Sequence, residues 1–282
     1  MTRSVPRLFE MSLSEFFGFG GYSRPAEGYM SWQHLLFVTL LNLTMIICAV
    51  LLGRKYKNAD ERAKNKVLIW AAFLINAFEI FKIVILSFRH EDPLYFRFVL
   101  PLFMCSIQLI TIPIAAFSKG KAKEASLDFV MIFGLLGAVF GTYFAGNNYA
   151  VYPVIGMDNV ISGITHCLAG FASLYIMFSG MISMKKYNII RTVGIISVFC
   201  VAAYVANIFW DCNYMFLSRG DGTPYDIFFN LVDGHPVLYP LLVVLLFALY
   251  ITVYYHVFYF IRGRIGKKKS EASDTARETV NV

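Results

Sequence analysis

The stretch Gln33-His34-Leu35-Leu36-Phe37-Val38-Thr39-Leu40-Leu41-Asn42-Leu43-Thr44-Met45-Ile46-Ile47-Cys48-Ala49-Val50-Leu51-Leu52-Gly53-Arg54-Lys55-Tyr56-Lys57 decides the fold. No Asp, Glu, Lys or Arg occurs between Gln33 and Gly53, and a cluster of cations follows at once. A helix rising 1.5 Å per residue needs about 20 apolar residues to cross a hydrocarbon core roughly 30 Å thick, and this run supplies them. The basic cluster that closes it is the mark of a cytoplasmic membrane border.

The same pattern recurs along the chain, predicting spans at about 33–53, 67–88, 98–117, 127–146, 159–181, 192–210 and 237–260. The fold class expected is all-α, a polytopic seven-transmembrane-helix bundle. Composition agrees: 58% of the 282 residues are hydrophobic and 15% are charged, which suits a membrane protein and leaves no room for a separate soluble domain. Alternate connections and the C-terminal tail hold 18 of the Lys and Arg residues, against 6 on the other side. That bias predicts an N-terminus outside and a C-terminus in the cytoplasm of a multi-pass cell membrane protein. The organisation expected is an extracytoplasmic segment over 1–32, a transmembrane domain over 33–260, and a basic, disordered cytoplasmic tail over 261–282. Residues 5–19 carry apolar side chains that suit a helix lying in the interface or, equally, a frayed apolar tail, and Tyr225 to Leu231 suits a short helix capping the bundle.

Several function classes are disfavoured. The net charge of +7 sits in short connections rather than on an aromatic-studded basic face, so nucleic acid is not an expected partner. An odd number of cysteines, mostly within spans and without a CxxC pair, predicts neither a disulfide framework nor a metal site. There is no Gly-rich phosphate loop, ligand cluster or acidic pair, so no cofactor is expected. No apolar h-region precedes residue 33, so the first span is expected to act as its own signal.

Polar residues within spans are costly, and where they fall is informative. With the predicted orientation, Cys105 and His166 lie at nearly the same level in the outer half of the bilayer. Asn76, Glu79 and Asn207 share that half, while Gln33, His34, Asn213, His235 and Tyr239 flank it. The inner halves are mostly Leu, Ile, Val and Phe. A one-sided polar cluster favours a site open to the outer interface over a permeation path. Simpler readings remain beside this one: Cys105 as an apolar filler, Glu79 and Lys82 neutralising each other one turn apart, and Gln108 tying helices together instead of donating to a substrate oxygen. His166, alone among apolar neighbours, calls for a partner.

Leu100-Pro101-Leu102-Phe103-Met104-Cys105 resembles the LPLxxC motif of the YwaF family of bacterial integral membrane proteins. Ser31-Trp32-Gln33-His34, His166, and Asn207 followed by Asn213-Tyr214-Met215-Phe216-Leu217 resemble further stretches of that family in the same order, over about residues 31–245. Phe103-Met104 and His235-Pro236-Val237-Leu238-Tyr239 depart from the usual pattern. The family is similar to a eukaryotic transmembrane acyltransferase that remodels ether phospholipids through a cysteine acyl-enzyme. The resemblance implies that Cys105 is the nucleophile and His166 its base, with membrane phospholipid as the partner. Gln108, Asn207, His34, Asn213 and Glu79 are the candidate substrate-binding residues. A thiol is activated by an imidazole that takes its proton, and attack on a lipid ester then gives an S-acyl intermediate. The reading is a lipid acyltransferase or thioesterase-like enzyme. The rival classes are a small-molecule permease or transporter subunit, and a lipid-binding sensor.

Overall fold

The computed structural model describes residues 12–22 and 24–280, with side chains as far as Arg264. The helices in chain order are α1 (Leu13–Phe17), α2 (Trp32–Tyr56), α3 (Glu61–Arg89), α4 (Gln108–Phe117), α5 (Gly120–Tyr143), α6 (Gly146–Val151), α7 (Met157–Phe178), α8 (Asn188–Trp210), α9 (Asp226–Leu231) and α10 (Leu238–Val280). Short 3₁₀ turns lie at Tyr95–Phe98 and Tyr214–Phe216. The described residues are all-helical, and six helices are long and apolar enough to cross a membrane. Within the segment 5–19, Leu13–Phe17 is helical, and residues 5–11 lie outside the described residues. The last helix runs without a break to Val280, through the segment read from sequence as the tail.

Local chemistry sets the helix starts. The Ser31 hydroxyl accepts from the His34 N–H at 3.2 Å and opens α2, and the Asp60 carboxylate accepts from the Ala63 N–H at 2.7 Å and opens α3. Leu36, Leu40, Leu43 and Ile47 on α2, like Leu241, Leu245 and Leu249 on α10, point away from the protein. An exposed apolar stripe of this length belongs against lipid rather than water.

α7 is the most enclosed of the long helices. It packs on α5 most extensively, and also on α2 and α3, while α8 and α10 join the bundle through one another and α5. The buried Asp158 fixes the start of α7. It accepts from both guanidinium nitrogens of Arg89 at 2.7 Å, and from the Tyr22 hydroxyl at 2.6 Å. A carboxylate in the first turn also suits the positive end of the helix dipole. Burial and the bond to Asp158 push the Tyr22 phenol above its ordinary pKa, so it remains a donor there. The end of α3, the entry of α7 and the N-terminal segment are thereby locked together.

The third expected span, 98–117, is not one continuous helix. A 3₁₀ turn at Tyr95–Phe98 is followed by irregular backbone, and only Gln108–Phe117 is α-helical. Pro101 explains the break, because a proline offers no N–H and disfavours helical geometry in the residue before it, here Leu100. The depth of Cys105 therefore cannot be counted at helical rise from Phe98. Irregular backbone among membrane helices is tolerated where it lines a cavity, and here it does.

Candidate active site

Cys105 sits in the last turn before α4. The Ile107 N–H donates to the Phe103 carbonyl at 3.0 Å, and the Leu109 N–H to that of Ser106 at 3.0 Å. Ser106 braces the turn, its hydroxyl accepting from the Phe103 N–H at 3.0 Å and donating to the Phe103 carbonyl at 3.1 Å. Among the described residues, the N–H groups of Cys105 and Ser106 have no backbone or side-chain oxygen as acceptor.

His166 projects from the middle of α7 toward this turn. Its Nδ1 donates to the Ser162 carbonyl at 2.7 Å, and because a carbonyl can only accept, the proton sits on Nδ1. In the neutral ring Nε2 is then left with a lone pair, as a base requires. The Cys105 thiol and the His166 imidazole lie within side-chain hydrogen-bonding range of each other. α5 passes behind both. A Cβ on Gly137 would stand 3.4 Å from the Cys105 Cβ, and one on Gly141 would overlap the imidazole, at 1.9 Å from Cδ2 and 2.1 Å from Nε2. These two glycines are four residues apart and so share a helix face.

The pair lies where two cavities meet. One, of about 240 Å³, is lined by Glu79, Lys82, Ser106, Asn148, Ser162 and Thr165 together with apolar side chains such as Ile75 and Leu109. The other, of about 560 Å³, is lined almost wholly by apolar groups, among them Phe133, Phe140, Met215, Phe228, Phe247 and Tyr250. Phe103, Cys105 and His166 belong to both. The larger cavity falls in the size range, roughly 300–1,000 Å³, that encloses most of a small ligand.

The remaining sequence candidates are placed differently. Glu79 lines the smaller cavity, paired with Lys82 at 2.5 Å. Gln108, Asn207, His34 and Asn213 line neither. Gln108 is fully buried behind the site. Its Oε1 accepts from the Thr111 hydroxyl at 3.2 Å, and its Nε2 has no partner among the described residues. His34 is buried against Tyr149, with ring centroids 3.8 Å apart, and donates from Nε2 to the Thr142 carbonyl at 3.1 Å. Asn213 organises its own loop, accepting from the N–H groups of Ser218 and Arg219 and donating to the Asp221 carboxylate at 2.7 Å. The hydrogen-bonding capacity of His34 and Asn213 goes largely to local backbone, which leaves them little to offer a substrate.

Asn207 is linked through Tyr214 to the segment that leads to Cys105. Its amide clasps Tyr214, accepting from the Tyr214 N–H at 2.6 Å and donating to the Tyr214 carbonyl at 3.1 Å. The Tyr214 hydroxyl in turn donates to the Arg97 carbonyl at 2.6 Å and accepts from the Leu100 N–H at 3.0 Å. Burial pushes that phenol up to about 12, so it stays protonated in this role. Asn207 and Tyr214 thus pin the irregular segment whose far end carries Cys105. Beyond Tyr214, Met215 (φ 54°) and Phe216 (φ 55°) take left-handed backbone and line the larger cavity. Such geometry is uncommon for side chains of their size.

Asn148, Ser162 and Thr165 escape sequence reasoning because nothing in their spacing links them to Cys105. The glycines at 134, 137 and 141 were a usable signal, since small residues on one helix face mark close packing.

Apolar helices enclosing a cysteine–histidine pair at the junction of two cavities define a polytopic membrane protein with a site inside its helix bundle. The chain belongs to the TMEM164 family, whose sequence model matches residues 29–255. No curated protein and no solved structure matches it.

Proposed function

We propose that the protein is a phospholipid acyltransferase that works through a thioester on Cys105, with His166 as general acid and base. The observation that carries this reading is that the pair forms the shared wall of a cavity that holds the Glu79–Lys82 ion pair and several hydroxyls and of a larger, apolar cavity. An ester-linked lipid needs that arrangement, with its head on one side of the reacting carbonyl and its tail on the other. The resemblance of the Leu100-to-Cys105 stretch and of His166 to the YwaF family supports the same two residues.

In the first half-reaction Nε2 of His166 takes the thiol proton while Sγ of Cys105 attacks the ester carbonyl carbon. Collapse of the tetrahedral intermediate breaks the carbonyl carbon–oxygen bond, and the imidazolium returns its proton to the departing lysolipid oxygen. The thioester remains on Cys105. In the second half-reaction an acceptor hydroxyl loses its proton to Nε2 and attacks the thioester, and the Cys105 thiolate leaves and takes that proton back from the imidazolium. The N–H of Ser106, which has no oxygen acceptor among the described residues and lies at the positive end of α4, is the donor best suited to the developing oxyanion. The Ser162 carbonyl keeps the imidazole in the tautomer this needs.

In the membrane this reading has seven crossings, the third made by the 3₁₀ turn, the irregular segment and α4 together. The N-terminus lies outside and the C-terminus in the cytoplasm of a bacterial plasma membrane, with the site in the outer half. Incubating the purified protein with phospholipid labelled in its acyl chain should give a hydroxylamine-sensitive adduct on the peptide containing Cys105. Cys105→Ser should lose that adduct, and His166→Ala should slow its formation greatly. Full transfer activity in Cys105→Ala would overturn the mechanism.

A further inference from the structure

The smaller cavity contains a feature the acyl-transfer chemistry does not use. Glu79 and Lys82 lie one turn apart on α3, their charged groups 2.5 Å apart, and both side chains are mostly buried. A buried ion pair is weak evidence of stabilisation, because apolar residues of similar size often serve as well or better. Within a bilayer such a pair points to a site.

We propose that Lys82 is a positioning and specificity-determining residue: from the wall of the smaller cavity it holds the phosphate of a zwitterionic lipid head, while Glu79 faces the cationic part. This inference rests on the acyl-transfer reading for the identity of the reacting ester.

Three observations support it. First, the ammonium has three donors, and among the described residues Glu79 is its one recorded partner. The Asn148 side chain, on the same cavity, makes no recorded hydrogen bond among the described residues and adds a neutral donor. Second, the residues lining this cavity include no other Arg, Lys, Asp or Glu. The wall is therefore net neutral. An anionic head would leave a negative charge unbalanced in a low-dielectric space, whereas a zwitterion leaves none. Third, Cys105 and His166 form part of the same lining as Lys82. A phosphate held by Lys82 therefore places the adjoining glycerol ester beside the thiol, with its tail directed to the apolar cavity.

The test measures binding, so it does not depend on turnover. The full-length Cys105→Ser protein in detergent is titrated with phosphatidylethanolamine and, separately, with phosphatidylglycerol of identical chains, and retained lipid is counted by native mass spectrometry. The zwitterionic lipid should be retained about tenfold more tightly, the scale of one charge-assisted contact. Lys82→Met should abolish the preference, and Lys82→Arg should keep part of it. Glu79→Gln combined with Lys82→Met leaves no stranded charge, so it guards against a folding failure, and it should bind both lipids equally and weakly. Equal retention of the two lipids by the parent protein, or a preference that survives in the double variant, would overturn the proposal. So would displacement of the lipid by inorganic phosphate as effective as that by glycerophosphoethanolamine, because the subsite would then be one for free phosphate. Failure of the adduct experiment together with an intact head preference would remove the acyl chemistry and leave the subsite standing.

Discussion

Gly141 of α5 lies directly against the imidazole of His166, so closely that a Cβ there would stand 2.1 Å from Nε2. Gly141→Ala must therefore push the imidazole away from Cys105 or force α5 and α7 apart. Overpacking of this kind typically costs about 1–3 kcal/mol, and misplacing a reacting group by about 1 Å can cost on the order of 100-fold in rate. The variant should lose most thiol acylation while Gly137→Ala, which meets Cys105 at an ordinary contact distance, loses much less. Equal rates in the two variants would show that the imidazole does not act on the thiol.

Asn207→Ala should impair the site from a distance. It leaves the Tyr214 N–H without its acceptor, while the Tyr214 carbonyl keeps the Leu217 N–H at 3.2 Å, and a buried polar group so stranded costs about 1–3 kcal/mol. Thermal unfolding should move to lower temperature, and acylation of Cys105 should fall although Asn207 lines neither cavity. Tyr214→Phe should reproduce the loss in acylation, since it frees Leu100 and Arg97 while keeping the ring. Normal acylation in both variants would dismiss the pinning role.

The same tyrosine gives a dependence on pH. Below about 10 the phenol is protonated in both folded and unfolded chains, and it contributes no slope. Between about 10 and the folded value of about 12 the unfolded chain sheds the proton first, so the Tyr214 contribution to stability falls as pH rises. Thermal scans of wild type and Tyr214→Phe at pH 8 and 11 should show the difference between them narrowing. A difference that widens with pH would contradict the assignment.

For the Glu79–Lys82 pair, Lys82→Met alone should lower abundance more than Glu79→Gln and Lys82→Met together. The single change leaves a carboxylate without its partner among membrane helices. Fluorescence-detected size exclusion of tagged variants reads this directly, and a double variant as scarce as the single one would argue against the stranded charge as the cause.

Topology can be tested by accessibility labelling at single cysteines placed at positions 58, 122 and 150. The charge bias predicts that 58 and 122 report cytoplasm and 150 reports the outside. Position 150 on the same side as 58 would reverse the assignment of the site to the outer half.

Much of the helical architecture was legible because lipid imposes a simple rule, that long uncharged runs form helices. Six such helices stand close to where the runs were read. The third span shows the limit: hydropathy sees Leu100-Pro101-Leu102 as apolar, whereas the backbone sees a proline that cannot donate. Cys105 and His166 were identifiable as candidates from chemistry and motif. Asn207, His34 and Asn213 look equally polar in sequence, and only the hydrogen bonds show that the protein itself occupies them. Residues that meet across helices, such as Gly141 with His166 or Tyr214 with Leu100, carry no local signature because their relation exists only once the bundle has formed.

Met215 and Phe216 form part of the wall of the larger cavity in left-handed backbone, a conformation that costs roughly 1–2 kcal/mol for each residue that is not glycine. A wall held above its relaxed shape behaves as a loaded spring with its catch elsewhere, and the catch here is the Asn207 clasp on Tyr214. Two residues of that cavity's wall therefore follow directly in the chain from a residue held by Asn207, which itself lines neither cavity. On the acyl-transfer reading, substitutions at that clasp alter chain-length selectivity while every residue facing the acyl chain stays the same.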